Sequence, residues 1–156
     1  MNKNIEIIRK TRTHLLQFIE GLSIEELNRI PAGFNNNIAW NFIHLMAAQQ
    51  NVCYLRAGKP AVIDQKFITP FLPGTKPEGF ITDEDMAEAR SLFLTTIDQL
   101  EADYESGALS AYPAWTNRYG IEHNSIEDTL CFLPFHEGLH LGYIMALKRS
   151  IGKAAV

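Results

Sequence analysis

Phe135-His136-Glu137-Gly138-Leu139-His140-Leu141-Gly142-Tyr143 is the stretch on which the reading of this chain turns. His136 and His140 stand four residues apart in a segment with helical periodicity, so both imidazoles leave one face about one turn apart. Neutral imidazole is the commonest protein ligand for divalent transition metals, and an i, i+4 pair fills two adjacent coordination positions without bending the backbone. The same residues also spell H-E-x-x-H, the zinc-protease signature in which the glutamate acts as general base. A protease needs a third ligand, usually downstream, and a sheet edge to hold an extended peptide. Nothing after His140 is Asp, Glu or His, and no strand alternation of any length is present. The third ligand must come from upstream, and the fold must come from helices.

Apolar residues recur at helical spacing in four long segments. The first runs from Asn4 to about Glu20 on Ile5, Ile8, Leu15 and Ile19; Arg12 interrupts its apolar side and either snorkels to water or meets a carboxylate there. Ser23-x-x-Glu26 is a capping box for a short turn of helix that ends before Pro31. The second long helix, Ile38 to Ala57, follows the N-cap candidates Asn35-Asn36-Asn37 and is apolar around much of its circumference, so it should be the most buried. Gly58 to Phe80, with Pro60, Pro70, Pro73 and Pro77, is a long loop fit for a crossover. Thr82-x-x-Asp85 opens the third long helix, whose stripe of Met86, Ala89, Phe93, Ile97, Leu100 and Tyr104 extends to Gly107. Ser106 to His123 reads as a second loop carrying Tyr112, Trp115 and Tyr119. Asn124 or Ser125 starts the last helix, which runs to Ile151 and stops at Gly152, with a kink expected at Pro134.

These connections predict an all-α four-helix bundle in up-down-down-up order, with the long crossover between helices two and three. A single domain spanning 1–156 is expected from the length of 156 residues and the ordinary balance of 46% apolar and 21% charged residues. A formal charge of -4 without a basic stripe argues against a nucleic-acid footprint. No stretch is read as a membrane span or a signal core, which points to a cytoplasmic protein with no membrane partner. Cys53 and Cys131 lie in apolar helical patterns and are expected to be buried free thiols.

The bundle makes a geometric statement about the histidines. His44 lies roughly 12 Å into the second helix and His140 roughly 16 Å from the end of the fourth, so in antiparallel helices they fall at a similar height. His44, His136 and His140 are therefore the expected metal ligands, with open positions left for a substrate. Asn41, Asn51, Glu137 and Tyr143 are candidates to orient those ligands or to line the pocket, although Glu137 is as well read as a solvated or helix-facing carboxylate and Tyr143 is better read as a packing aromatic. Gly138 and Gly142 each weaken a helix interior by about 1 kcal/mol, which close packing or room for a ligand would explain, unless they are simply two tolerated glycines. The aromatic loop residues Phe67, Phe71 and Phe80 either wall the pocket or serve a subunit interface.

Asn36-Asn37-Ile38-Ala39-Trp40-Asn41-Phe42-Ile43-His44-Leu45, a proline-rich crossover, and then His136-x-x-x-His140-x-Gly142 together resemble the DinB-like family of metalloenzymes, the YfiT/DinB group of four-helix bundles. The resemblance covers essentially the whole chain. It implies an up-down-down-up bundle, often dimeric, with one divalent ion on His44, His136 and His140, zinc or nickel first and iron or manganese next. It also implies thiol-dependent S-transfer using a low-molecular-weight thiol such as bacillithiol, mycothiol or glutathione, or else hydrolysis. Many members carry Gln after the glycine of the last motif, where this chain has Tyr143. The expectation is thus a metal-dependent enzyme acting on a small molecule, as a transferase or a hydrolase, with a non-catalytic metal-binding or interaction bundle as the other reading.

Overall fold

The computed structural model of the protein describes residues 2–153. Nearly all of its regular structure is helical: α1 (Lys3–Phe18), α2 (Ile24–Asn28), α3 (Ile38–Gln50), α4 (Asp83–Glu105) and α5 (Ile126–Lys153). The expected all-α class has one small exception, since β1 (Trp115–Thr116) pairs antiparallel with β2 (Glu122–His123). Strands of two residues are too short to show alternation, so the sequence pattern gives only a loop there.

Polar side chains start the helices where the sequence places them. Asn37 accepts from the Trp40 N–H at the head of α3, Thr82 accepts from Asp85 at the head of α4, and Ser125 accepts from Asp128 at the head of α5. Ser23 and Glu26 form the reciprocal capping box of α2. The second helix does not continue as a regular α-helix to Ala57. At Asn51–Leu55 it widens into a π turn, in which the Arg56 N–H reaches back to the Asn51 carbonyl. Pro134 lies inside α5, which continues through it.

Contacts between elements give the running directions. Arg9 meets Asp98 and Glu101 while Arg12 meets Phe93 and Thr96, so contacts advance on α1 as they recede on α4. Along α3 and α4 they advance together, through Phe42 on Phe93, Gln49 on Thr96 and Tyr54 on Asp103. Asn41 with His140 and His44 with His136 set α3 against α5 in opposite order. Arg12 with Glu137 and Phe18 with Lys148 set α1 beside α5 in the same order. Two apolar clusters fill the interior, one including Leu15, Phe42, Met46, Phe93 and Ile144, the other including Ile8, Cys53, Ile97, Leu100 and Leu133. Complete burial of each large side chain stabilises the fold by about 1.5–3 kcal/mol.

Of the two readings of Arg12, the structure has the second: it is fully buried and meets the Glu137 carboxylate. Three expectations change in detail. Cys53 is buried as expected but Cys131 is exposed, because the apolar side of α5 is wider than its buried face. Gly138 and Gly142 are exposed, and a Cβ at either would meet nothing within 4 Å, so close packing is not their reason. The span Ile126–Gly152, with a window of mean hydropathy 1.2, is long and apolar enough to cross a membrane by length and composition. Phe135, Leu139, Tyr143 and Met145 add outward apolar surface to the inward residues Leu130, Leu133, Ile144 and Leu147, which raises the average.

Candidate metal centre

His44 comes from the middle of α3, and His136 and His140 come from successive turns of α5. Because these helices oppose one another, a ring nitrogen from each of the three lies within 4.8 Å of the others. His44 Nε2 and His136 Nε2 are 3.2 Å apart. A tetrahedral ion with metal–nitrogen bonds near 2.05 Å sets its ligand nitrogens about 3.3 Å apart, so this spacing is already that of a coordination edge.

Hydrogen bonds fix which nitrogens face inward. His44 Nδ1–H donates to the Phe71 carbonyl at 2.6 Å, and a carbonyl can only accept, so a neutral His44 keeps its lone pair on Nε2. Asn41 does the same for His140 in two steps. Its Nδ2 donates to the Asn37 carbonyl at 2.7 Å, which turns Oδ1 toward His140 Nδ1 at 2.8 Å. That oxygen also only accepts, so His140 likewise presents Nε2. Trp40 stacks on the His44 ring at 4.7 Å between centroids with 10° between planes, and its Nε1–H is held by the Pro70 carbonyl. The same crossover loop thus orients His44 twice.

Burial keeps the three imidazoles neutral, the state a metal requires. It is the largest cause in each case. It pushes His136 down to about 2, with His140 and His44 adding to the effect, and His140 down to about 3, with His44 and Arg118 adding. His44 is also lowered, against the opposing pull of the Phe71 carbonyl. Three neutral imidazoles, with His44 and His140 presenting Nε2 lone pairs and His136 Nε2 beside that of His44, fit a divalent transition ion.

A family model described as the DinB superfamily matches residues 7–144. The chain belongs to the DinB superfamily. No curated protein matches it. The match contains all three histidines, the crossover and the loop after α4, so the metal-compatible cluster is a feature of the DinB-superfamily part of the chain.

In this DinB-superfamily chain the histidines form the floor of a cavity of about 340 Å³, walled by Trp40, Asn51, Arg56, Trp115, Arg118, Tyr119 and Phe132. Asn51 therefore borders the site, and Asn41 holds His140 in place. Glu137 does neither. It turns about 100° from His136 into the core, where its Oε1 accepts from Arg12 Nε at 3.0 Å and Nη2 at 2.7 Å. Burial pushes its carboxyl up against the pull of Arg12, and Oε2 is buried with no partner among the described residues. Tyr143 packs edge-on against Phe34 at 5.6 Å and is not part of the cavity wall. Phe67, Phe71 and Phe80 line a different cavity of about 490 Å³, which shares Trp40 with the first. It is the larger, but no histidine lines it.

Sequence reasoning marked the aromatic residues between Ser106 and His123 without giving them a place. The β1–β2 hairpin carries Trp115 and Tyr119 to the cavity together with Arg118. Behind it His123 stacks on Trp115 at 4.3 Å and faces Asn117 at 3.1 Å, so this histidine braces the wall. His14 is exposed on α1 beside Phe18 and takes no part in the cluster.

Proposed function

We propose that this chain is a metal-dependent enzyme in which His44, His136 and His140 hold one divalent ion, zinc or nickel before iron or manganese, and that it transfers a thiol to a small molecule. The single observation that carries this is the convergence of three neutral imidazoles, two of them fixed in tautomer, on the floor of an open cavity. An ion bound there acts as a Lewis acid and lowers the pKa of a nucleophile beside it. The walls favour a thiol over water as that nucleophile. No Asp or Glu lines the cavity, and Glu137, the base of the protease signature, is held by Arg12 instead. A thiol ionises near 8.5 and needs little help at neutral pH, whereas water needs a base as well as an ion in most metallohydrolases. Trp115, Tyr119 and Phe132 would shield the reacting atoms from bulk water, and Asn41 and the Phe71 carbonyl would keep the ligands aimed.

The contact directions between helices support one domain, an up-down-down-up bundle with the crossover between α3 and α4. Exposed Phe135, Leu139, Tyr143 and Met145 along α5 support a homodimer over a membrane contact, since the same helix buries Glu137 with Arg12 on its other side. A cytoplasmic location and the absence of a nucleic-acid partner belong to the same reading.

The test is a screen of metal-loaded protein with glutathione or cysteine and the chromogenic electrophile 1-chloro-2,4-dinitrobenzene, beside nitrophenyl esters without thiol. Thiol-dependent turnover that disappears on chelation is expected. Ester turnover without thiol would move the reading to a hydrolase, and no turnover with either would favour a non-catalytic metal-binding bundle.

A further inference from the structure

The cavity over the histidines carries charge of one sign. Arg56 and Arg118 are its charged wall residues, no Asp or Glu lines it, and neither guanidinium has a carboxylate partner among the described residues. Arginines without a carboxylate partner are ordinary on an open surface; what distinguishes these two is that both line the one cavity over the histidines. The whole chain has a formal charge of -4, so an acid-free cavity with two unpaired arginines runs against its overall composition. Both arginines are braced by aromatic rings instead: Arg56 lies 4.0 Å over Trp115, and Arg118 lies 5.0 Å over Tyr119 and donates to its hydroxyl at 2.9 Å. Such stacking holds a planar guanidinium in place while leaving N–H donors on its edge for a ligand.

Two local features carry these side chains to the cavity. On a regular α-helix the steps His44, Ala48, Val52, Arg56 would each drift about 40° around the axis. The π turn at Asn51–Leu55 winds more widely, which holds back that drift, and all four residues line the one cavity. The hairpin turn between β1 and β2 places Arg118 on the opposite wall.

We infer that the occupant of this cavity is an organic acid: an apolar or aromatic body between Trp40, Trp115, Tyr119 and Phe132, with a carboxylate seated on Arg118 and Arg56. This names the substrate class of the site proposed above and rests on that reading only in placing the reactive end toward the histidines. The carboxylate seat belongs to the protein and does not need the ion.

The test uses the full chain in metal-free and zinc-reconstituted forms, with hydrocinnamate, the neutral hydrocinnamamide and inorganic phosphate as probes, read by calorimetry and tryptophan fluorescence. Hydrocinnamate is expected to bind the metal-free protein at least about tenfold more tightly than the amide, with an affinity that falls as salt is added. Arg118→Gln and Arg56→Gln, both at exposed positions, are each expected to remove most of that preference, and Arg118→Lys to keep part of it. Equal binding of acid and amide, no binding of the acid, or a preference that survives the double glutamine variant would overturn the inference. Phosphate binding more tightly than hydrocinnamate would overturn the organic-acid assignment. Zinc stoichiometry measured on the same samples separates the two readings: acid preference without zinc uptake leaves the inference standing alone, and zinc uptake without acid preference removes the inference alone.

Discussion

Arg12 Nη2 lies 2.7 Å from Glu137 Oε1 with neither side chain reaching solvent, and this pair couples the two histidine-bearing helices to α1. The other guanidinium donors go to Gln49, Thr96 and the carbonyls of Phe93 and Leu45. Leu45 follows His44 and Glu137 follows His136, so one cation secures the chain beside two of the clustered histidines. Breaking such a pair from one side leaves a buried charge uncompensated. Glu137→Ala should therefore cost about 3–5 kcal/mol in urea unfolding, and the double change Arg12→Met with Glu137→Leu should cost less than the single one. If Glu137 were a catalytic base, Glu137→Gln would abolish turnover while leaving stability and metal content unchanged, and that outcome would refute its place in the core.

Asn41 sets the tautomer of His140 while its own amide is tied to Asn37. Asn41→Ala should fold normally by circular dichroism and bind zinc about 10–100-fold more weakly in competition with a chromophoric chelator. Unchanged affinity would mean that His140 needs no such partner.

The two thiols should behave differently. Cys131 is exposed and should react with an aromatic disulfide reagent in the native protein; Cys53, whose thiol burial pushes up to about 12, should react only on denaturation. Because the folded-state value is raised above the unfolded one, the stabilising effect is complete below about pH 9 and is lost as pH rises toward 12. Burial also raises Tyr54 and acts in the same direction. The difference in alkaline melting between wild type and Cys53→Ala isolates the thiol, and identical curves would contradict its burial.

Exposed Phe135, Leu139 and Met145 on α5 should be covered by a second copy in solution. Light scattering on wild type should give twice the chain mass, and Leu139→Lys should shift it to the monomer. A monomeric wild type at high concentration would refute the dimer.

How much of this was legible beforehand follows from what each pattern encodes. Helical spacing brought His136 and His140 to one face, and the antiparallel order of α3 and α5 then brought His44 to them, because a helix fixes direction as well as distance. That rule also explains Glu137: a neighbour rotated by about 100° from an inward histidine can itself be inward on a buried helix, and only the position of Arg12 on α1 decides it. Arg12 stood out as a charge on an apolar stripe, which is the trace a buried ion pair leaves in sequence. Of the cavity wall, spacing marks Asn51, while the charged and hairpin residues leave little trace. Arg118 and Tyr119 arrive on a hairpin of two-residue strands, and Arg56 arrives through a π turn, and neither device has a periodicity. Tyr143 packs on Phe34, the packing role its spacing favours over a place in the pocket; α5 is apolar on more than its buried face, so spacing alone does not say which aromatic points inward.

The proposed function depends on one metal ion at His44, His136 and His140. The most direct measurement is metal content by inductively coupled plasma mass spectrometry after zinc reconstitution of untagged protein, for wild type and for His44→Ala. Close to one ion per chain is predicted for wild type, with His44→Ala weakened at least about tenfold by loss of one of three ligands. Wild type that holds no near-stoichiometric metal, or His44→Ala that holds it undiminished, would contradict the site.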